Sequence, residues 1–431
     1  MSETSATAVG RYRWVVCALL FAATTINYID RQILSLIKPL LDQELHWTNE
    51  QFGNVNAVFQ AAYAVSLLLF GALIDRVGSK IGYAVSIAAW SLAALGHSLV
   101  GSVNGFFFAR ISLGLGEGGN FPSAIKAVAL WFPKRERAFA TSIFNAGGNV
   151  GAILAPAIVP WLSYKWGWRS AFVVAGIVGL LWLLFWIPFY DVPERIKSLT
   201  AGERAHIGSD GDDRAGAEHM RWRDVLRYSQ AWSFIVAKFL TDPVWWFFLI
   251  WLPDYFKKTR HLDIKESWPH LVTIYAIVTV LSMCGGWFTG YLNRRGYSIT
   301  RARKTGMFIF AVAVLPILFV GKVGDWEAVF IIGLAGAAHQ AWSANLFTTV
   351  SDMFPKRAVA SLTGLGGMAG SIGGMIFPKY SGWLLDRFQA AGNVAGGYAI
   401  LFVICGFAYL LAFGLNHVLA PRYEPVRLRQ D

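Results

Sequence analysis

The 431-residue chain is 55% hydrophobic and only 15% charged, with 43 glycines, 31 phenylalanines, 19 tryptophans and a formal net charge of +12. Soluble domains carry about 25% charged residues, so the composition excludes an ordinary water-soluble core and shell. The basic residues fall between long apolar runs, which makes them topology signals and points away from a nucleic-acid partner.

A bilayer span needs roughly 20 mainly apolar residues. Twelve such runs follow one another, at 13–36, 52–74, 81–101, 105–130, 138–162, 168–190, 231–252, 269–292, 305–321, 328–351, 359–384 and 395–419. The polar stretch Met1–Gly10 has no signal-peptide pattern, so the first run is expected to remain as a membrane helix. Segments on one side of the spans carry 24 Lys and Arg against 7 on the other. That bias predicts a multi-pass membrane protein with both termini cytoplasmic. A polar stretch, with Gly208 and the cluster Asp210–Arg214, divides the spans six and six. The expected fold is an all-α membrane protein: an N-terminal six-helix bundle (1–190), a cytoplasmic linker (191–229) and a C-terminal six-helix bundle (230–431).

The two halves share an internal repeat. Residues 131–156 align with 353–378 without a gap, and nine of 26 positions are identical, including the FPKR block and both closing prolines. Repeats of this kind predict a solute site near the bilayer midplane at the interface of the halves, with alternating access by rocking. The same offset pairs Glu117 with His339 and Asn149 with Ser371.

The first and fourth spans hold a group of charges at depth: Asp30, Arg31, Arg110 and Glu117. A charge at mid-membrane costs at least about 2.5–3.5 kcal/mol and is retained for function or pairing. Asn27, Asp30 and Arg31 share a helix face, as do Arg110 and Glu117. Arginine suits a carboxylate, and a buried acid beside an arginine is placed to take up and release a proton. Arg31 is therefore expected to bind a substrate carboxylate. Asp30 and Glu117 are expected to carry coupled protons, and Arg110 to pair with whichever acid is ionised. Static packing by two balanced ion pairs is the bland alternative. Amide, imidazole, phenol and aromatic groups suited to the hydroxyls and C–H face of a sugar are Asn27 and Tyr28, then Asn145 and Asn149, then His339, Gln340, Trp342 and Asn345, with Tyr63 and Tyr275 as further additions. Lys238 and Asp242, four apart, are expected to pair. Cys17, Cys284 and Cys405 read as small core residues, and no metal-ligand spacing, cofactor motif or catalytic triad layout stands out.

Gly71-Ala-Leu-Ile-Asp75-Arg76-Val-Gly78-Ser-Lys80 resembles the loop motif of the major facilitator superfamily, with a degenerate second copy at Gly290–Gly296. Gly71 is expected to permit close helix approach, and Asp75 and Arg76 to form a gating lock. Asn27-Tyr28-Ile-Asp30-Arg31, and Arg110 with Gly114-Leu-Gly116-Glu117 and Phe121-Pro122, resemble the anion:cation symporter family within it. The stretches 240–248 and 337–355 are similar to bacterial hexuronate transporters. The resemblance implies a proton-coupled monomeric symporter, in contact with membrane lipid, that imports glucuronate or galacturonate; an aldonate symporter or an anion exchanger is the alternative. It implies the same roles for Asp30, Arg31, Arg110 and Glu117. A drug exporter would want a mainly apolar cavity, and an organophosphate exchanger paired arginines without a titratable acid.

Overall fold

The computed structural model describes residues 10–209, 222–354 and 356–426; the linker cluster Asp210–Arg214 lies outside them. No strand occurs among the described residues. The helices in chain order are α1 (Tyr12–Leu36), α2 (Lys38–Leu45), α3 (Asn49–His97), α4 (Val103–Glu117), α5 (Asn120–Trp131), α6 (Lys134–Trp166), α7 (Arg169–Phe189), α8 (Ala201–Ile207), α9 (Trp222–Val225), α10 (Ser229–Arg260), α11 (Ile264–Arg294), α12 (Ile299–Val314), α13 (Asp325–Met353), α14 (Lys356–Ala390) and α15 (Val394–Leu419). Most of the twelve apolar runs lie on a single one of these, but 105–130 is divided between α4 and α5, and 305–321 passes from α12 into the 3-10 helix Leu315–Lys322. Among the described residues, eight helical stretches are long and apolar enough to cross a membrane. Two helices outside that set, α4 and α13, carry Arg110, Glu117, His339, Gln340 and Asn345. The repeat is visible in the chain path: the FPKR block ends one helix and starts the next in both halves, at α6 and at α14.

The chain divides into two compact units, Met1–Leu34 with Ala61–Ala217 and Ser35–Gln60 with Glu218–Asp431. In the first unit, small residues let backbones touch, which is how helices associate where lipid removes the hydrophobic drive. A Cβ at Gly116 would lie 2.5 Å from the Trp90 nitrogen, and one at Gly119 2.6 Å from Ser86 Cβ. The helix breaks after Glu117, which strands carbonyls of its last turn. The hydroxyls of Ser66 and Ser86 donate to the Leu115 and Gly116 carbonyls in their place. Within α3, Gly78 takes φ +84°, a left-handed value that separates the two runs predicted there. A Cβ at Gly71 would meet no atom within 4 Å, so the close approach expected at that glycine is not found.

The linker helix α8 completes α1. Glu203, almost wholly buried, accepts from the backbone amides of Tyr12 (3.1 Å) and Arg13 (3.0 Å), the free donors of the first turn of α1. Arg13 Nε also donates to Glu136 (2.9 Å), which bonds His206 Nε2 at 2.8 Å. Burial pushes the Glu136 carboxyl up, but its bonds to His206 and Arg13 outweigh that and hold it below the ordinary glutamate range.

The second unit holds a buried polar network. Lys38 Nζ donates to Asp254 (2.7 Å), Asp42 (2.8 Å) and Asn49 (3.2 Å). Tyr398 donates to the other Asp254 oxygen at 2.5 Å, and Asp386 accepts from the Asn49 and Glu50 amides at 2.8 and 2.7 Å. Ser35–Gln60 is thereby fastened to α10, α14 and α15.

Two predictions concern stability. Gly116→Val should destabilise the protein by about 1–3 kcal/mol or more through overpacking, whereas Gly414→Ala, where a Cβ meets nothing within 4 Å, should shift thermal unfolding in detergent little. A depressed carboxyl stabilises the fold above its unfolded value and loses that contribution as pH falls through its folded value. Between about pH 5 and pH 3 the melting temperature of the wild type should therefore fall more steeply than that of Glu136→Gln.

Candidate functional site

In the first unit α1 presents Asn27, Asp30 and Arg31 to the end of α4. Arg31 Nε donates to Glu117 Oε2 at 2.6 Å, with Arg31 nearly and Glu117 wholly buried. The guanidinium lies 4.5 Å from the Tyr63 ring centroid and 5.4 Å from that of Tyr28, so two aromatic rings hold it. Arg110, on α4 and buried, donates from Nη2 to the Arg31 carbonyl at 3.3 Å. Asp30 is 1% exposed, and neither carboxylate oxygen has a hydrogen-bond partner among the described residues. Asn27 is fully buried on the same helix face.

Glycines on α6 set the position of Tyr28. A Cβ at Gly148 would lie 3.0 Å from its ring, and one at Gly151 2.6 Å from the Thr25 carbonyl. Asn149 is half-buried and Asn145 is exposed.

In the second unit His339 is buried and stacks on Trp245 at 5.5 Å with an interplanar angle of 3°. Its Nδ1 bonds Tyr409 Oη at 2.7 Å. Trp342, fully buried, meets the edge of Tyr409, and its indole nitrogen has no hydrogen-bond partner. Gln340 is half-buried. Asn345 is already engaged: its amide donates to the Ala341 carbonyl at 2.8 Å and its oxygen accepts from Arg303 at 3.2 Å, so in this structure it is a packing group where a sugar contact was expected. Tyr275 is buried beside Trp245. Lys238 and Asp242 pair at 2.7 Å, as their spacing predicts.

Of the gating residues, Arg76 is exposed and the Asp75 side chain lies outside what the structure describes. Trp245 and Tyr409, which hold His339, escaped the sequence reading. Trp245 stands in the quoted stretch 240–248, but nothing in a single apolar helix marks Tyr409. The Ser66 and Ser86 hydroxyls were missed too, although Gly118-Gly119 directly after Glu117 signals the helix break they repair.

Comparison with known proteins places this geometry. The profile described as Major Facilitator Superfamily matches residues 20–378. The chain is 30% identical over 409 residues to a hexuronate transporter of Escherichia coli (strain K12), covering 93% of this chain and 92% of that protein. It is 33% identical over 257 residues to a galacturonate transporter of Dickeya chrysanthemi, covering 59% of this chain and 74% of the relative. A bacterial homologue of the human lysosomal transporter Spinster has the same fold, with a TM-score of 0.76 at 16% identity over 96% of this chain and 98% of that one. With its apolar helices the chain is a multi-pass membrane transporter that belongs to the Major Facilitator Superfamily, in the anion:cation branch its motifs resemble.

Proposed function

We propose that the protein is a proton-coupled symporter that imports a sugar acid, a hexuronate such as glucuronate or galacturonate, across the bacterial inner membrane by alternating access. Both termini face the cytoplasm, and the working unit is a monomer. The observation that carries the reading is the Arg31–Glu117 ion pair, buried between two tyrosine rings and accompanied by a second buried carboxylate, Asp30, whose oxygens have no hydrogen-bond partner among the described residues. The full-length similarity to a hexuronate transporter supports the substrate class.

Charge balance links solute and proton. Asp30, Glu117, Arg31 and Arg110 sum to zero when all are ionised. A solute carboxylate that takes the guanidinium of Arg31 displaces Glu117 and adds one negative charge in a medium where an uncompensated charge is expensive. Protonation of Glu117 restores neutrality, so anion entry requires a proton. Asp30 is the second proton site, and Arg110 holds whichever acid remains ionised, which makes release conditional on proton loss. Asn27, Tyr28, Asn145, Asn149, His339, Gln340 and Trp342 supply hydroxyl and ring contacts. Asp75 and Arg76 gate the cytoplasmic side.

Proteoliposomes loaded at neutral pH and diluted into acidic buffer test this directly. Labelled glucuronate should accumulate uphill, a protonophore should abolish the accumulation, and galacturonate should compete. Glu117→Gln should retain glucuronate exchange while losing accumulation; uphill uptake by that variant overturns the coupling role. Arg31→Lys, which keeps the charge and loses the planar fork, should weaken glucuronate binding at least about tenfold. Unchanged affinity there would remove Arg31 as the carboxylate contact.

A further inference from the structure

Besides Lys38 and Asp254, the second unit holds another buried ion pair. Lys238 Nζ and Asp242 Oδ2 on α10 are 2.7 Å apart, with the two side chains 7% and 17% exposed. Lys238 also rests over the Phe347 ring at 4.5 Å. The pair leaves capacity unused on both sides. An ammonium has three N–H donors, and Asp242 is the one ion-pair partner of Lys238 among the described residues. Asp242 Oδ1 is buried and has no hydrogen-bond partner among the described residues.

The surroundings are built around this pair. A Cβ at position 370 would lie 2.2 Å from Asp242 Oδ2, so glycine on α14 makes room for the carboxylate. Pro243 removes the N–H that would bond the Phe239 carbonyl, and Gly373 lets α14 close over that carbonyl and the proline ring. The carbonyl of Thr241, beside Asp242, accepts from Tyr409 at 3.4 Å, and Tyr409 in turn bonds His339. Replacing such a pair by apolar residues is often neutral or stabilising, so packing alone gives little reason to keep it in a membrane helix.

We propose that Lys238 and Asp242 form a specificity-determining pair that recognises a hydroxyl of the transported sugar acid and rejects acids with a second carboxylate at that place. A hydroxyl donates to Asp242 Oδ1 and accepts from Lys238 Nζ, filling both vacancies without breaking the ion pair. A carboxylate offers no donor and meets the Asp242 charge. The assignment rests on the sugar-acid reading above and adds to it the discrimination between a hexuronate and an aldarate.

The test is calorimetric binding of glucuronate and galactarate to purified full-length protein, with size-exclusion profile and thermal unfolding as folding controls. The wild type should favour glucuronate. Asp242→Asn, which removes the repelling charge and leaves Lys238 positive, should shift the glucuronate-to-galactarate affinity ratio toward galactarate at least about tenfold. The neutral double variant Lys238→Gln/Asp242→Asn, which is read in place of the single variant if that fails to fold, should lose galactarate again and keep part of the glucuronate affinity. An unchanged ratio in folded Asp242→Asn, or in the double variant when it stands in, overturns the assignment while the hexuronate reading stands. Failure of folded wild type to bind glucuronate overturns that reading, and the assignment with it.

Discussion

A charge that cannot reach water must be answered by an opposite charge or a ring of dipoles within the same packed unit. That constraint governs both units. In the first, Arg31 is held by Glu117 and two tyrosine rings. In the second, Lys38 is met by Asp254 and Asp42, and Lys238 by Asp242. The pairs differ in completeness. Lys38 and Asp254 bond further groups on both sides, which is the pattern of a fastening. Asp30 and Asp242 retain carboxylate oxygens without a hydrogen-bond partner among the described residues, so their answering of charge is less complete.

Holding such groups at depth requires helices that are locally irregular. Glu117 is the last residue of α4, and serine hydroxyls take over as donors to the carbonyls exposed at the break. Asp242 precedes Pro243, where α10 loses a backbone donor and α14 approaches through Gly370 and Gly373. The small residues are not a general lubricant: each faces a particular backbone atom or side chain that a methyl group would strike. Polar chemistry and tight glycine packing thus occur together, because the same local departures from a regular helix serve both.

Most of the helical layout was legible in the sequence, since hydrocarbon thickness fixes span length and the apolar runs are long. The repeated FPKR block marked equivalent helix starts in both halves. Spacing by three, four and seven placed Asn27, Asp30 and Arg31 on one face and Arg110 and Glu117 on another, and the four-residue step of Lys238 and Asp242 gave their pair. What spacing does not contain is the third dimension of packing. Asn345 looked like a sugar ligand until Arg303, 42 residues away, occupied its oxygen. Tyr409 bonds His339 across 70 residues, a contact that no helical period encodes. Gly71 belonged to a recognisable motif, yet the close approaches fall at other glycines.

The cap that Glu203 places on α1 has a consequence for the order in which the protein is made. The Tyr12 amide and its carboxylate acceptor are 191 residues apart in sequence. Since synthesis runs from the N-terminus, α1 leaves the ribosome ahead of α3 to α7 and waits with open donors until these have been made and the linker has begun. The last helix of the first unit closes the first one. That closure falls before α10 to α15 exist, so the nascent first half has its own finishing contact, supplied by a segment that composition alone would describe as a connector.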